Sequence, residues 1–298
     1  MEKLLFTGGT GFLGKNAMPL LEKQFEITTI GITEKDELKA NFAQEVPVLP
    51  CRYDVVLHAA GKAHMVPKTP EERQTFYDVN YKGTVNLCAA LEKVGAPKAL
   101  VFISTLSVYG SQPGCIDTED SRPLVKDSPY SESKIMAEEY LTKWCKDHGV
   151  ILGILRPGLL AGEGAPGNLG AMVKGIRTGA YLSIAGGKAR KSILMASDIA
   201  RLVPLVAEKG GTYNVCDDHN PSFRELEKLI ARQLGKRPPI NVPYWFAKCL
   251  ALVGDMFSFF PINSSRLEKI VTDDVYSNEK AKRELGWQPM DVLENYVI

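Results

Sequence analysis

Two hydrophobic patterns alternate along the chain. Short runs with little polar interruption recur at Lys3–Phe6, Glu26–Ile30, Asp54–His58, Ala99–Ile103, Ile151–Leu155 and Gly211–Val215. Runs of this length read as strands buried on both faces, the pattern of a parallel sheet. Segments with apolar residues at helical spacing separate them: Lys15–Lys23, Phe76–Lys93 and the stretch from Tyr130 to Lys146. Strand–helix–strand alternation predicts an α/β fold, a Rossmann-like doubly wound parallel sheet. Between Ile30 and Asp54 about two dozen residues remain, too few for the usual strand and two helices. One helix over Lys35–Gln44 and a short strand near Val46–Leu49 are expected there. Further on, Ser222 with Glu225 forms a capping box for a helix over Phe223–Leu234. The most apolar stretch, Trp245–Ile262, is interrupted by Lys248, Gly254 and Asp255 and closes at Pro261. It is too short for a membrane span and reads as a buried helix, with surface attachment to a membrane as the lesser alternative.

Composition narrows the class. The chain has 298 residues, 45% hydrophobic and 24% charged, enough for a large core. A net charge of +1 gives no reason to expect nucleic acid or an anionic membrane as partner. Six cysteines are scattered without paired spacing, which argues against a disulfide framework or a metal site and fits a reducing cytoplasm. The chain enters its first strand at once, without a signal peptide.

The first chemistry lies in Thr7-Gly8-Gly9-Thr10-Gly11-Phe12-Leu13-Gly14, between the first strand and the first helix. Strand, glycine turn and helix are the context a dinucleotide loop requires. Gly8 permits the turn, Gly11 lets backbone approach a pyrophosphate, and Gly14 lets the helix lie close to the strand. The helix N-terminus, with Phe12 and Leu13 in its first turn, offers N–H groups to phosphate. A glycine-rich turn without ligand is the bland alternative. The second strand ends at Gly31, where NAD-binding units carry an acid for the ribose hydroxyls. Glu34 stands three residues late, and Lys35 and Arg52 are nearby bases, so the cofactor is expected to be NAD(P), leaning to NADP.

Tyr130 and Lys134 stand four residues apart, on one face of a helix opened by Pro129. An ammonium one turn below a phenol lowers the phenol pKa, so Tyr130 becomes able to pass a proton near neutral pH. The strand Ala99–Ile103 delivers Ser104-Thr105-Leu106-Ser107-Val108-Tyr109-Gly110 to the carboxyl edge of the sheet, where open α/β folds bind ligands. By themselves these hydroxyls read equally as a capped strand end.

Taken together, the Gly-x-x-Gly-x-x-Gly loop, His58-Ala59-Ala60, Asn80-Tyr81-Lys82-Gly83-Thr84, Thr105 four residues before Tyr109-Gly110, Tyr130-x-x-x-Lys134, Arg156-Pro157, Thr212-Tyr213-Asn214-Val215 and Leu285-Gly286-Trp287-Gln288-Pro289 resemble the extended short-chain dehydrogenase/reductase family. The resemblance runs from Lys3 to Pro289 and is nearest to enzymes that reduce or epimerise UDP-linked 4-keto-6-deoxy sugars. It implies a nucleotide domain over 1–157 joined by 192–217, and a substrate domain over 158–191 and 218–298. It implies that Thr105, Tyr130 and Lys134 are catalytic. Small residues at Ala59 and Ala60, next to His58, would let the nicotinamide ribose and diphosphate lie against the backbone, and Asn80 would brace the active-site strand. Asn168 is implied as a ligand of the substrate diphosphate. Lys191, in the basic cluster with Lys188 and Arg190, and Arg266 are further candidates for those phosphates. His64 either faces the substrate or is a solvated loop histidine. No metal is implied. A homodimer through the helices Phe76–Lys93 and Tyr130–Lys146 is the family's default.

The implied activity is 4-keto reduction of a nucleotide-activated 4-keto-6-deoxy sugar, with 4-epimerisation as the alternative. A non-catalytic dinucleotide sensor is the rival from another class, though such proteins usually lose the Tyr or the Lys. A flavonoid- or steroid-type carbonyl substrate would leave Asn168 and Arg266 idle. Dehydratases of the family carry an Asp-Glu pair after the catalytic Thr. Leu106 and Ser107 stand there instead, and neither exchanges protons near neutral pH.

Overall fold

The computed structural model describes residues 1–63, 65–110, 116–117, 119, 124–256 and 263–298. The chain opens with β1 (Glu2–Thr7), α1 (Phe12–Leu21), β2 (Phe25–Gly31), β3 (Leu38–Lys39) and β4 (Val55–His58). One long helical run follows: α2 (Pro70–Phe76), a π-helical segment Tyr77–Lys82 and α3 (Gly83–Val94). Next come β5 (Ala99–Ile103), a 3-10 turn Leu106–Tyr109, β6 (Ile116–Asp117), α4 (Pro129–His148) and β7 (Ile151–Pro157). The chain continues through β8 (Leu159–Ala161), α5 (Gly167–Thr178), β9 (Ser183–Ile184), β10 (Ile193–Met195), α6 (Asp198–Lys209), β11 (Gly211–Val215) and α7 (Phe223–Gln233). It ends with β12 (Asn241–Val242), α8 (Tyr244–Met256), α9 (Ser264–Val271), β13 (Val275–Tyr276), α10 (Glu279–Leu285) and α11 (Val292–Asn295).

Seven strands form one sheet in the order β11-β7-β5-β4-β1-β2-β3, and every pairing is parallel. This is the doubly wound Rossmann-like sheet that the alternating pattern predicts. Period-two alternation divides the core. Leu4, Phe6, Leu57, Val101 and Ile103 face Ala17 and Leu21 of α1 and Leu202, Val203 and Val206 of α6. Leu5, Val56, Leu100 and Phe102 face Leu87 and Leu91 of α3 and Ala137 and Leu141 of α4. Both faces are covered, which is why the strands carry near-continuous apolar runs. A separate apolar cluster joins α5, α7 and α11 through Met172, Ile176, Leu226, Ile230 and Val292. β8 and β10 pair apart from the main sheet.

Two expectations fail, each for a local reason. No helix forms over 35–44 and no strand over 46–49. Instead β3 pairs with the end of β2, Ile30 opposite Leu38 and Gly31 opposite Lys39. Here side chains outcompete helical hydrogen bonds. The Thr33 amide donates to Asp36 Oδ2 at 3.0 Å, and the Ala43 amide donates to Asn41 Oδ1 at 3.1 Å. The second miss concerns α8, which forms but is not buried. Its small residues Ala247 and Ala251 pack within a cluster that includes Leu267 of α9, and Gly254 is buried on the next turn. Trp245 is 67% exposed and Leu252 54%. Residues 257–262 of that stretch lie outside the described residues. No helix among the described residues is long and apolar enough to cross a membrane.

Candidate active site

The glycine loop leaves the carboxyl end of β1 and turns into α1. Gly8 has φ +74, a left-handed conformation that side chains rarely adopt, and a Cβ there would meet the backbone of Ala60 at 3.0 Å. A small residue at 60 and none at 8 let the loops after β1 and β4 touch. At Gly11 a Cβ would meet only Gly8 O, at 3.2 Å, with open space beyond. Gly11 is also the N-cap of α1, and no side chain caps that end. The first-turn N–H groups, from Phe12 to Gly14, therefore keep their donors for a ligand. Gly14 serves packing, since a Cβ there would lie 1.8 Å from Gly9 O. Asn16 on α1 fixes the loop after β8: its Nδ2 donates to Glu163 O at 3.2 Å and its Oδ1 accepts from the Glu163 amide at 3.1 Å. An uncapped helix N-terminus beside side-chain-free backbone fits a dinucleotide pyrophosphate.

The His58 side chain turns into the core. It is buried, with Nδ1 2.8 Å from Thr7 Oγ1 and Nε2 2.9 Å from Thr84 Oγ1. Burial, helped by the Lys134 charge, pushes its pKa down to about 3. Both ring nitrogens are spent tying β4 to β1 and α3, so the ring braces the sheet and leaves only the backbone at this position to face a cofactor. Ala59 and Ala60 remain as the small surface after β4.

The turn after β4 is held by Asn80, which lies in the π-helical segment, a helical irregularity found often at functional sites. Asn80 Oδ1 accepts from the Lys62 amide at 2.7 Å. Its Nδ2 donates to Lys62 O at 3.1 Å and to Ser133 Oγ at 2.9 Å. One side chain thus fixes the loop and α4 together. His64, the candidate substrate contact in that loop, lies outside the described residues.

α4 begins at a Ser128–Ser131 capping box with Pro129 at its first position. This start fixes Tyr130 and Lys134 against β5. The Tyr130 ring is half-buried and packs edge-on against Phe76, with centroids 6.2 Å apart. Desolvation raises the phenol pKa, and the Thr105 hydroxyl, in hydrogen-bonding reach, pulls it down. The expected lowering of Tyr130 by Lys134 is therefore not what governs it here: loss of hydration outweighs the favourable contacts. Lys134 is buried. Its Nζ donates to Ile103 O at 2.8 Å and sits 4.6 Å from the Phe102 ring centroid. Burial draws the ammonium down to about 8, opposed by Glu138. It lies 3.2 Å from where a Gly61 Cβ would stand, so the turn after β4 must stay bare beside it.

Behind these groups lies a buried polar network that the sequence pattern indicated only in part. The Glu138 carboxylate accepts from Ser104 Oγ, from Arg156 Nε at 3.1 Å and from Arg156 Nη2 at 2.5 Å. Arg156 Nη1 donates to Tyr109 Oη at 2.7 Å, and Tyr109 donates to Asn214 Oδ1 at 2.8 Å. Burial works against the Arg156 charge, but Glu138 and Tyr109 more than restore it and hold its pKa above the usual value. The network links β5, α4, β7 and β11 directly beneath Thr105.

The remaining candidates are spread over other elements. Asn168 is exposed in the first turn of α5. Lys191 Nζ donates to Thr272 O at 3.0 Å and lies 3.9 Å from Asp274, so it anchors the segment after α9. Arg266 is exposed on α9, its amide held by the Asn263 side chain at 2.9 Å. Asp36 was not foreseen: its carboxylate covers Gly31 and accepts from Thr33 and Thr10. The sequence signal was its place just beyond an acid-free strand end.

Comparison with known proteins agrees with this geometry. The chain is similar to a UDP-glucose 4-epimerase from Vibrio cholerae, 27% identical over 98% of this chain and 92% of that protein. Among solved structures, UDP-glucose 4-epimerase with UDP-glucose from Thermotoga maritima superposes with a TM-score of 0.76 at 21% identity, covering 98% of this chain and 95% of that one. RMD from Pseudomonas aeruginosa, complexed with NADPH, superposes with a TM-score of 0.75 at 20% identity, covering 99% and 96%. The pattern of the NAD dependent epimerase/dehydratase family matches residues 4–216. With the parallel sheet, the bare loop at its carboxyl edge and Tyr130 beside Thr105, that match makes this chain a member of the NAD dependent epimerase/dehydratase family.

Proposed function

We propose that the protein moves a hydride between a nicotinamide dinucleotide and C4 of a nucleotide-activated sugar, and that its reaction is reduction of a 4-keto-6-deoxy sugar. The observation that carries this reading is the half-buried Tyr130 phenol in reach of the Thr105 hydroxyl at the sheet's carboxyl edge. The backbone from Gly8 to Gly14 and the turn Ala59–Gly61 would hold the dinucleotide, with Lys134 at its nicotinamide ribose. When bound, that group supplies the hydride. Thr105 orients the substrate carbonyl by a hydrogen bond, Tyr130 delivers the proton to the oxygen, and the Lys134 charge stabilises the phenolate left behind. Hydride on carbon and proton on oxygen complete the alcohol. Asn168 and Arg266 are the proposed contacts of the substrate diphosphate. Lys191 serves by anchoring the segment after α9. Dimerisation through the helices Phe76–Lys93 and Tyr130–Lys146 belongs to the same reading.

The UDP-glucose 4-epimerase relatives favour a second reading, in which the same relay works in both directions on one sugar. The experiment that separates the two uses UDP-N-acetylglucosamine and, in another tube, its 4-keto-6-deoxy derivative with reduced dinucleotide. Dinucleotide consumption with the second substrate alone is the expected result. UDP-N-acetylgalactosamine from the first would make the protein an epimerase, and no reaction with either would remove the sugar assignment.

A further inference from the structure

α8 is built inside out. A surface helix turns its large apolar residues to the core and its polar ones to water. In α8 the small residues Ala247, Ala251 and Gly254 are buried, while Trp245, Phe246, Leu252 and Val253 stand in solvent. At 3.6 residues per turn these four fall within one arc about 120° wide, opposite the buried stripe. Tyr244 opens the helix and is also exposed. Just before it in the chain, β12 pairs with β9, and the Ser183 amide donates to Ile240 O at 2.9 Å. Ile240 is 76% exposed and Leu182 beside it 53%. Exposed apolar surface gathered in this way marks a contact with something else. The charge of the segment is one-sided as well. From 236 to 270 the chain holds five bases, Lys236, Arg237, Lys248, Arg266 and Lys269, against two acids, Asp255 and Glu268, whereas the rest of the chain has more acids than bases. The net charge of +1 averages over this asymmetry. Lys248 stands three residues from Trp245 and four from Leu252, at the rim of the arc. Lys236, Arg237 and Lys248 are exposed and pair with no acid among the described residues. Asp255 is engaged by α9, accepting from the Ser264 amide at 3.0 Å and from the Ser264 hydroxyl.

We propose that the outer face of α8 docks the protein on an anionic lipid surface, with the helix lying in the plane of the headgroups. An interfacial helix needs an apolar face, aromatic residues with a polar edge, and bases at the rim for lipid phosphates. α8 supplies the first through Phe246, Leu252 and Val253, the second through Tyr244 and Trp245, and the third through Lys248, with Lys236 and Arg237 on the approach. Its 13 residues reach about 20 Å, enough to lie along a bilayer and too short to cross one. A second copy of the chain fits this face less well. A two-fold contact lays the patch on itself, base against base. A stable dimer also needs about 20–30 residues a side, more than one helix face supplies. Apolar content alone does not tell a buried helix from an interfacial one. The outward Trp245 and the buried Ala247 and Ala251 decide between them.

Flotation of the full-length protein with lipid vesicles tests this. Phosphatidylcholine mixed with phosphatidylglycerol in about equal parts supplies the anionic surface, and phosphatidylcholine alone the neutral one. The wild type should bind the first at least tenfold more tightly than the second, and added salt should release it. Trp245 reports on the contact directly. The other tryptophans, Trp144 and Trp287, are buried, so the emission should shift to shorter wavelength as anionic vesicles are added. Leu252→Glu combined with Val253→Glu should weaken vesicle binding at least tenfold. Both side chains stand in solvent, so the thermal melt and the dinucleotide affinity should stay those of the wild type. Lys236→Gln combined with Lys248→Gln should weaken binding to the anionic vesicles with the fold equally intact. A wild-type protein that stays in solution with both vesicles overturns the proposal, as does equal binding to the two, or undiminished binding by the folded Leu252→Glu, Val253→Glu variant. A dimer that forms without lipid in the ultracentrifuge and is broken by that same pair of substitutions would overturn it too, and would assign the face to a second copy of the chain.

Discussion

The two halves of the site are built by opposite means. Around Gly8, Gly11 and Gly14 the chain removes side chains and presents backbone: no residue caps α1, and a Cβ at Gly11 would meet no atom but Gly8 O, at 3.2 Å. Around Ser104, Glu138 and Arg156 the chain packs polar side chains into the interior until each has a partner. The difference follows from what each half handles. A pyrophosphate is large, charged and satisfied by N–H groups and a helix end, so the protein's task is to leave room. A proton relay needs one hydroxyl fixed relative to one carbonyl, so every supporting group must be held in a single geometry.

The contrast breaks most sharply within the glycine loop. Gly14→Ala puts a carbon 1.8 Å from Gly9 O, and because that obstacle is backbone the helix must move. The variant should fail to fold or should melt far below the wild type, as followed by circular dichroism. Gly11→Val brings its Cβ only against Gly8 O, at 3.2 Å, a contact that a shift of a few tenths of an ångström relieves, so the variant should fold with a melting point far nearer the wild type than Gly14→Ala. It should nevertheless lose dinucleotide binding by about a hundredfold or more, since the side chain fills space the pyrophosphate needs. If the two variants behaved alike, packing and binding would not be divided between these glycines.

In the other half the matching change is Tyr130→Phe. Only the hydroxyl is lost, so the fold and the dinucleotide affinity should stay within about twofold. Turnover should fall about 10²–10⁴-fold, the usual contribution of a general acid–base group. Steady-state rates and a binding titration on the same preparation decide it. A variant within twofold of wild-type turnover would remove Tyr130 from the chemistry.

How far these halves could be foreseen from sequence follows the same division. The glycine loop was legible because its function is an absence of side chains at fixed spacing, and spacing is what a sequence records. Tyr130 and Lys134 were legible because one helix carries both. The support beneath them was not. Arg156 meets Glu138 from the next strand along, and Tyr109 meets Asn214 across 105 positions of chain. Such pairs are fixed by sheet order, which no local pattern carries. The turn after β2 was missed because a helix was expected over 35–44, whereas the Asp36 side chain bonds the Thr33 amide and closes a turn instead. The apolar content of α8 suggested burial, but the helix meets α9 through small residues, Ala247 and Ala251, while its large side chains such as Trp245 stay exposed.

The smallest effect concerns the buried residue behind the glycine loop, His58. Its hydrogen bonds allow one tautomer. Thr84 Oγ1 donates to Asn80 O at 2.7 Å, so toward His58 it must accept, and Nε2 carries the proton. Thr7 Oγ1 accepts from the Ala60 amide at 3.0 Å and gives its own proton to Nδ1. Protonating Nδ1 would set two donors against each other in a site that no water reaches. The folded pKa near 3 lies below the ordinary value of 6.5, so between these limits the unfolded chain binds the extra proton. Stability then rises with pH through that window, is complete above about 6.5, and is lost as the solution is acidified. At 1.36 kcal/mol per pKa unit, moving from pH 7.5 to pH 5 should cost about 2 kcal/mol from this residue. His58→Gln cannot take up a proton. It should be the less stable protein at pH 7.5, having lost a fitted ring, and should lose about 2 kcal/mol less on acidification. Urea melts of both proteins at the two pH values measure that difference directly. Equal losses would mean that His58 is already charged in the folded protein, and the brace between β1, β4 and α3 would have to work by some other set of bonds.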